Sequence, residues 1–384
     1  GVAVGALLGA RAMLVHAPRV HHLFDLLTIP LLVWSIAGRR GAMPLGTPLN
    51  DTFVFFIGFV CTSLLIELLD DTEDPPPYVV PTLTVLSVLG VTFKLSFAAF
   101  ALVVAGLLLW RNPRQTLAWG VGATALLAGP WLAHGVVTSG YPAFPTVLGA
   151  FPVDWIVPCF AANDEATWVY SWARQPFGDP AEVLSGWAWL RPWIVQTFSQ
   201  DMLIVTPALV TGVGVATALV GCVKVRRWWW AAAPHIATLI FWFFSAPDPR
   251  FLGATPWSLA ILTIMAASEP LRARSLLALR MGAVVFVVMF SYNFRDELEI
   301  VLPWPEGGLY PTPAIAVDAF TVGEGVTIYV PAEGGELCWD GPLPCTPDYR
   351  VGATNTIQLA QRDPNELGAG FMAAEEFRDM CEAP

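Results

Sequence analysis

Long apolar runs separated by short polar turns dominate the chain as far as residue 293. Runs of about 16 to 20 apolar residues are typical of helices that cross a lipid bilayer. The pattern predicts about ten such helices, at 1–15, 23–38, 52–69, 78–93, 95–110, 115–133, 202–223, 228–245, 252–267 and 276–293. We therefore predict an all-α polytopic membrane protein. Because the chain begins inside an apolar run without an initiator methionine, we also expect further sequence upstream.

The pattern changes after residue 293, where proline, glycine and acidic residues become frequent. The segments TVGEGVTIYVP and TNTIQLA are typical of short strands. Cys338 and Cys345 bracket a proline turn in CWDGPLPC, which predicts a small disulfide hairpin in an oxidising compartment. The predicted organisation is a set of N-terminal helices, a Trp-rich loop, a set of C-terminal helices and an acidic, β-containing tail, over residues 1–135, 136–201, 202–293 and 294–384.

Composition and charge agree with this division. Hydrophobic residues make up 55% of the chain and charged residues 13%, which is far from the balance of an ordinary soluble domain. The net charge is −11, but residues 294–384 contain sixteen acidic residues and four arginines, or −12, which leaves about +1 for the rest. The acidity thus belongs to the tail, and nothing in the charge balance indicates nucleic-acid binding.

Basic turns predict the orientation of the helices. Arginine and lysine favour the cytoplasmic side of a membrane, and three such turns lie at residues 111–114, 224–227 and 272–274. If these turns face the cytoplasm of a bacterial cell, the loop 136–201 and the tail lie outside the cytoplasmic membrane. The loop contains six tryptophans, which prefer the membrane–water interface, so we expect it to lie along the outer surface.

Residues 78–110 allow two interpretations. One long tilted helix would keep the arginines at 39–40 in the cytoplasm, but it would leave Lys94 near the bilayer centre, where a lone cation is costly. Two short helices that turn at Lys94 would instead place it on the outer side together with Asp51 and Arg250. We favour the two-helix interpretation.

Four charged residues in apolar surroundings are the main candidates for a binding site: Asp51, Lys94, Asp248 and Arg250. Each has an ordinary explanation, namely helix capping for Asp51, snorkelling for Lys94, and an ion pair across Pro249 for the other two. In the two-helix topology, however, Asp51, Lys94 and Arg250 all reach the outer leaflet at helix ends. Arginine offers bidentate contacts and lysine a compact charge, so such a cluster suits the phosphate or pyrophosphate of a lipid.

The Trp-rich loop adds three candidate substrate contacts, Tyr141, Asp154 and Arg174. Aromatic faces suit sugar rings, although anchoring at the interface explains most of the tryptophans without a ligand. Cys159 and Cys381 also fall on the predicted outer side, where they form either a second disulfide or two free thiols. No cysteine or histidine pattern has the spacing of a metal site, and GxSxG, HExxH and P-loop motifs are absent from the sequence.

Several motifs together resemble a known family. GTPLNDTFVFF, GVTFKLSFAAF, SGYPAFP, VDWIVP, WARQPFGDP, APDPRF and CWDGPLPCTP follow, in order, the pattern of an uncharacterised family of large bacterial multi-pass membrane proteins that is named only from a spirochaete locus. More distantly, the Asp at a helix start, the Thr-x-Lys helix end and the Pro-Arg-aromatic turn are similar to the GT-C superfamily of membrane glycosyltransferases. Ile156 departs from the family pattern, in which a lysine is common at this position.

The GT-C resemblance implies a glycosyltransferase of cell-envelope assembly that uses a sugar linked to polyprenyl phosphate. Lys94 and Arg250 would contact the lipid phosphate and Asp51 would help to shape the site, while the catalytic acid would lie upstream of residue 1. Expected partners are membrane lipids and the lipid-linked sugar. No cofactor is identified, although a divalent metal is compatible with this chemistry. Two alternatives are a transporter or flippase for a lipid-linked or anionic substrate, and a membrane-anchored binding module formed by the tail.

Overall fold

The computed structural model describes residues 23–25, 27–28, 31, 51–70, 74–199, 201–220, 226–268, 314–322, 326–332, 337–346, 359–363, 366–373 and 375. The chain divides into two compact units. The first contains residues 1–129 and 170–303, and the second contains residues 130–169 and 304–384.

Most of the described chain is helical. The helices are α1 (Asp51–Leu68), α2 (Val79–Phe93), α3 (Ala98–Arg111), α4 (Pro113–Ala123), α5 (Gly129–Ser139), α6 (Cys159–Arg174), α7 (Pro180–Leu184), α8 (Leu190–Thr197), α9 (Thr206–Val220), α10 (Arg226–Phe244) and α11 (Thr255–Ser268). Short 3-10 helices cover Leu95–Phe97, Pro249–Leu252 and Leu367–Ala369, and π-helical turns cover Thr124–Ala128 and Asp201–Val205.

Local sequence explains where several helices begin and end. Pro113 starts α4, in the first turn, where the missing N–H costs no hydrogen bond. Asp179 precedes α7, and its carboxylate accepts a hydrogen bond from the Glu182 N–H at 3.0 Å. Lys94 ends α2 with an extended backbone, φ −155° and ψ 122°. Its N–H still donates to the Gly90 carbonyl at 3.0 Å, so the chain turns at this residue without losing that bond.

Helix α1 lies at the centre of the first unit's core. Almost all of its side chains are buried, including Phe55 and Phe59, whose rings meet edge to face with centroids 4.8 Å apart. It packs against α2, which in turn packs against α3 and α4, and α3 packs against α10. Gly58 permits a close approach to the chain before α11, because a Cβ there would lie 2.8 Å from the Ala254 Cβ. This contact brings the Pro249–Leu252 turn to the same end of the core as the start of α1.

The second unit contains two antiparallel two-stranded sheets. Strands β1 (Val317–Val322) and β2 (Val326–Pro331) pair with Phe320 opposite Ile328. Strands β3 (Leu359–Gln361) and β4 (Phe371–Ala373) pair with Ala360 opposite Met372. These strands confirm β structure in the tail, although β1 begins before the predicted segment and most of TNTIQLA lies outside the described residues.

The prediction of about ten membrane-spanning helices in a GT-C-like fold is wrong. Within the described part of the chain, two helices are long and apolar enough to cross a membrane: Asp51–Leu68, which is mostly buried, and Pro113–Ser139, which is mostly exposed. The other described apolar helices have ten to seventeen residues, such as Val79–Phe93. A helix of fifteen residues reaches about 22 Å, less than the roughly 30 Å of a bilayer core.

Several of the ten predicted helices cannot be compared with the structure. Those at 1–15 and 276–293 lie outside the described residues, and the one at 23–38 falls largely outside them. For residues 78–110, the structure has two helices, α2 and α3, with the break at Lys94. The predicted break at Lys94 is therefore present, but neither helix is among the two that are long enough to cross a membrane.

The structure contains the disulfide predicted for the tail. Cys338 and Cys345 are bonded, as the CWDGPLPC spacing predicts. Tyr329 donates its N–H to the Pro344 carbonyl at 2.9 Å, which holds the disulfide loop beside β2. Cys159 is also disulfide-bonded, while Cys381, the partner considered for it, lies outside the described residues.

Candidate functional site

Asp51 and Lys94 form a buried ion pair in the first unit. Asp51 lies in the first turn of α1, where the helix dipole favours a negative charge, and its side chain is only 2% exposed. The Lys94 ammonium pairs with the Asp51 carboxylate from the break between α2 and α3. Burial lowers the pKa of Lys94, and the Asp51 carboxylate opposes that shift. Each charge therefore depends on the other to remain in this apolar position.

A second ion pair lies in the turn that follows α10. Asp248 accepts a hydrogen bond from the Arg250 N–H at 3.0 Å, which starts the short Pro249–Leu252 helix. Its other carboxylate oxygen lies 3.1 Å from the Arg250 Nε. The two side chains are 21% and 39% exposed, so this pair is more accessible than the first.

Two buried indoles hold this turn in place. Trp242 donates its Nε1–H to the Asp248 carbonyl and Trp193 donates to the Pro247 carbonyl, each at 2.7 Å. Both tryptophans are 8% exposed and belong to an aromatic cluster with Phe243, in which the Trp193 and Trp242 centroids are 5.7 Å apart. The Asp-Pro-Arg turn is therefore rigidly supported from the side that faces the protein.

The ring of Phe251 connects the two ion pairs. The Lys94 Nζ lies 4.2 Å from the ring centroid, and the Arg250 Cζ lies 5.1 Å from the same centroid. The Phe251 carbonyl also accepts a hydrogen bond from the Ser96 hydroxyl at 3.2 Å, next to the break at Lys94. Arg250 lowers the pKa of Lys94 further and Asp248 raises it, so charges from both ion pairs act on Lys94. We call Asp51, Lys94, Asp248, Arg250 and Phe251 the charged cluster.

A cavity of about 220 Å³ opens beside Arg250. Asp248, Pro249 and Arg250 form one wall, and the opposite residues come from α6, α8 and the π-helical turn before α9. Two tryptophans, Trp172 and Trp193, supply aromatic surface. The cavity thus combines a cation, a carboxylate and flat apolar faces.

The remaining predicted site residues lie elsewhere. Arg174 ends α6 in the first unit but lines a different cavity. Tyr141 and Asp154 belong to the second unit. Tyr141 is 2% exposed and donates its hydroxyl to the Val157 carbonyl at 2.9 Å, which stabilises its own loop.

Asp154 forms a bidentate ion pair within the second unit. Arg362 donates from Nη2 and Nε to its two carboxylate oxygens, at 2.7 and 3.0 Å. The Ala373 N–H of β4 donates to the Asp154 carbonyl at 2.9 Å, so the residue joins the β3–β4 hairpin to the loop. Sequence reasoning missed Arg362 because 208 positions separate the partners and no local motif marks them.

Two further residue sets were also missed. Phe251 follows Arg250 directly, so its position in the Pro-Arg-aromatic turn was visible, but its contact with Lys94 was not. His235 is 1% exposed in the core, with Nε2 3.0 Å from the Thr62 hydroxyl and Nδ1 3.3 Å from the Thr255 hydroxyl. This group links α10, α1 and α11, the helices beside the charged cluster.

The described part of the chain contains no group of three or more His, Cys, Asp or Glu side chains that could hold a metal ion. The charged cluster itself has two carboxylates, each already paired with a cation.

Comparison with known protein families gives a match over much of the chain. Residues 16–255 match the family model described as a domain of unknown function, DUF8201. This range covers more than half of the chain and includes all five residues of the charged cluster. No curated protein and no solved structure matches the chain.

Proposed function

The chain belongs to the DUF8201 family, and we propose that its charged cluster binds the phosphate of a polyprenyl-phosphate-linked sugar during glycan transfer at a bacterial membrane. The observation that carries the proposal is the position of Lys94 and Arg250 against the same Phe251 ring. Asp51 and Asp248 already balance the two cations, and an anionic ligand would take up the N–H donors that these ion pairs leave unused. A phosphate oxygen matches both the compact ammonium and the forked guanidinium.

Asp51 and Asp248 position the two cations but leave some of the N–H donors of Lys94 and Arg250 unused. An ammonium has three N–H groups and a guanidinium five, whereas Asp51 and Asp248 each engage their partner through a limited set of contacts. The Arg250 Nε lies 3.1 Å from an Asp248 carboxylate oxygen without forming a hydrogen bond, and the outer fork of the guanidinium remains for a ligand at the cavity.

Exposed apolar surface in the first unit supports a lipid-linked ligand. Large side chains on α9 and α10 are well exposed, among them Leu209 at 66%, Val213 at 68% and Phe244 at 66%. Leu126, in the apolar helix Pro113–Ser139, is 77% exposed. Frequent exposure of large apolar side chains is typical of surfaces that contact membranes or other proteins. We therefore propose that the protein works at the cytoplasmic membrane, with the cluster near the lipid head groups.

In the proposed transfer, the bond between the anomeric carbon and the donor phosphate oxygen breaks, and its electron pair remains on the phosphate. An acceptor hydroxyl forms the new bond to the anomeric carbon and releases its proton to a general base. Lys94 and Arg250 stabilise the negative charge that develops on the phosphate. The aromatic faces of Trp172 and Trp193 lie beside Arg250, where the attached sugar would extend.

Arg250→Gln tests the phosphate site. In the purified full chain in detergent, we expect at least about a tenfold loss of affinity for farnesyl phosphate, because a charge-assisted contact is worth roughly 1.5–3 kcal/mol. Affinity for farnesol, which lacks the phosphate, should not change. Isothermal titration calorimetry measures both.

Arg191→Gln is the matched control, since Arg191 is an exposed arginine on α8 outside the cluster. It should bind farnesyl phosphate as the wild type does. If Arg250→Gln also retains wild-type affinity, the phosphate proposal is wrong. In a strain that needs this protein for glycan assembly, Arg250→Ala and Lys94→Ala should each abolish transfer.

A further inference from the structure

A second cavity in the first unit, of about 360 Å³, shares no lining residue with the cavity beside Arg250. It lies between the end of α6, the turn after α7 and the end of α10. Its volume is within the range of small-ligand sites, which begins at roughly 300 Å³. The charged cluster makes no use of it.

Flat aromatic rings form much of its wall. Trp187 lies nearly parallel to Trp189, with centroids 5.7 Å apart and an interplanar angle of 25°. It is also nearly parallel to Phe243, at 6.3 Å and 23°. Trp189 is 4% exposed and fixed in the aromatic cluster, whereas Trp187 is 61% exposed. The wall therefore has a rigid base and an accessible outer ring.

Arg174 supplies the charge in this cavity. Its Nη1 donates to the Tyr170 carbonyl at 2.7 Å and its Nη2 donates to the Phe244 carbonyl at 3.1 Å. The Cζ lies 5.3 Å from the Trp189 ring centroid, so the guanidinium is fixed against the aromatic wall. Among the described residues, no carboxylate lies within ion-pair distance of Arg174. Its positive charge is thus oriented by neutral groups and available to a ligand anion.

We propose that this cavity binds an acidic carbohydrate, a sugar whose ring packs on Trp187 and whose carboxylate pairs with Arg174. The C–H face of a sugar ring carries slight positive charge and packs well against the negative face of an indole. Two of the five guanidinium N–H groups of Arg174 donate to carbonyls, and the other three remain for a carboxylate. A lipid tail would need no flat, parallel walls. The sugar would be the acceptor, an assignment that rests on the proposed transfer function, whereas the binding itself does not.

Paired probes separate ring stacking from charge recognition. Trisaccharides of galacturonate and of glucuronate carry carboxylates, and their methyl esters keep the rings but lose the charge. We expect the purified full chain to bind at least one acid about tenfold more tightly than its ester, as calorimetry would measure. Arg174→Gln should remove this preference while leaving ester binding unchanged.

Trp187→Ala should abolish binding of both acid and ester. Trp229→Ala is the matched control, because Trp229 is 63% exposed on α10 and does not line the cavity. It should bind both probes as the wild type does. The inference is wrong if the wild-type protein binds neither acid, or if the preference for the acid survives Arg174→Gln. It is also wrong if anionic phospholipid vesicles compete with the acid for the wild type and still bind the Trp187→Ala variant.

The phosphate proposal and the carbohydrate proposal can be tested independently. Arg250→Gln should leave acidic-trisaccharide binding unchanged, because Arg250 lines the other cavity. If Arg250→Gln abolishes it, the acid binds at the charged cluster and the inference is wrong. If Arg250→Gln leaves farnesyl phosphate binding intact while Arg174→Gln removes the acid preference, the carbohydrate site stands and the phosphate proposal fails.

Discussion

At the scale of single residues, Phe251 is what joins two ion pairs into one cluster. The charged members could be predicted, because Lys94 is one of two lysines in the chain and Arg250 sits among apolar residues. Phe251 could not be singled out, since aromatic residues crowd the same stretch and only the fold selects the ring that Lys94 contacts. Arg362 left no sequence signal either, because ion pairs between distant segments have no local spacing.

Removal of one partner tests whether charge compensation between Asp51 and Lys94 stabilises the fold. Lys94→Gln should lower the free energy of unfolding by about 3 kcal/mol, because it leaves the Asp51 carboxylate buried without its cation. The double substitution Asp51→Asn with Lys94→Gln should recover most of that loss. Thermal unfolding in detergent measures both variants.

A similar loss in the double variant would show that packing of the lysine stem, and not charge compensation, stabilises this region. Farnesyl phosphate affinity should be reduced in both variants, since each lacks the ammonium. Recovery of stability without recovery of binding would separate the two roles of Lys94.

At the scale of elements, the apolar runs predicted helices well and membrane spans poorly. Helix α2 and helix α3 both exist, but Lys94 limits each to a length too short for a typical bilayer. Helix α10 has nineteen residues, yet its two arginines, four tryptophans and Pro234 reduce its apolar character. Hydropathy alone does not distinguish a helix that packs in a protein core from one that meets lipid, and α1 is mostly buried.

Gly253 shows how strictly the turn of the charged cluster depends on backbone geometry. It has φ 52° and ψ −130°, a region open almost exclusively to glycine. Gly253→Ala should therefore lower the free energy of unfolding by roughly 1–3 kcal/mol. It should also weaken farnesyl phosphate binding, because Arg250 would move with the turn.

Gly106→Ala serves as the comparison for thermal unfolding. Gly106 lies within α3, and an added Cβ would meet nothing within 4 Å. This substitution should be neutral or stabilising by up to about 1 kcal/mol, since alanine favours a helix. Equal thermal midpoints for the two variants would contradict the strain assigned to Gly253.

At the scale of the whole molecule, exposed apolar surface and acidic charge occupy different parts of the sequence. Exposed leucine, valine and aromatic side chains are frequent on α3, α9 and α10, whereas the excess of acidic residues lies in 294–384. The exposed apolar side chains of the helices suit contact with lipid or with another protein, whereas the acidic tail suits water. This contrast is the physical basis for the proposed membrane location.

Fractionation of cells that express the full chain tests that location. We expect the protein to remain in the membrane pellet after washing with high salt and with alkaline carbonate, and to be released by detergent. High salt screens charge but strengthens apolar association. Release by salt alone would contradict a lipid-embedded surface and would indicate electrostatic attachment.

The second unit is assembled from two stretches of chain, residues 130–169 and 304–384, with much of the first unit between them. During synthesis, Asp154 leaves the ribosome long before its partner Arg362 is made. At about 5–20 residues per second, the 208 intervening positions take roughly 10–40 s to translate. The segment around Asp154 must therefore persist without its final partners for that time.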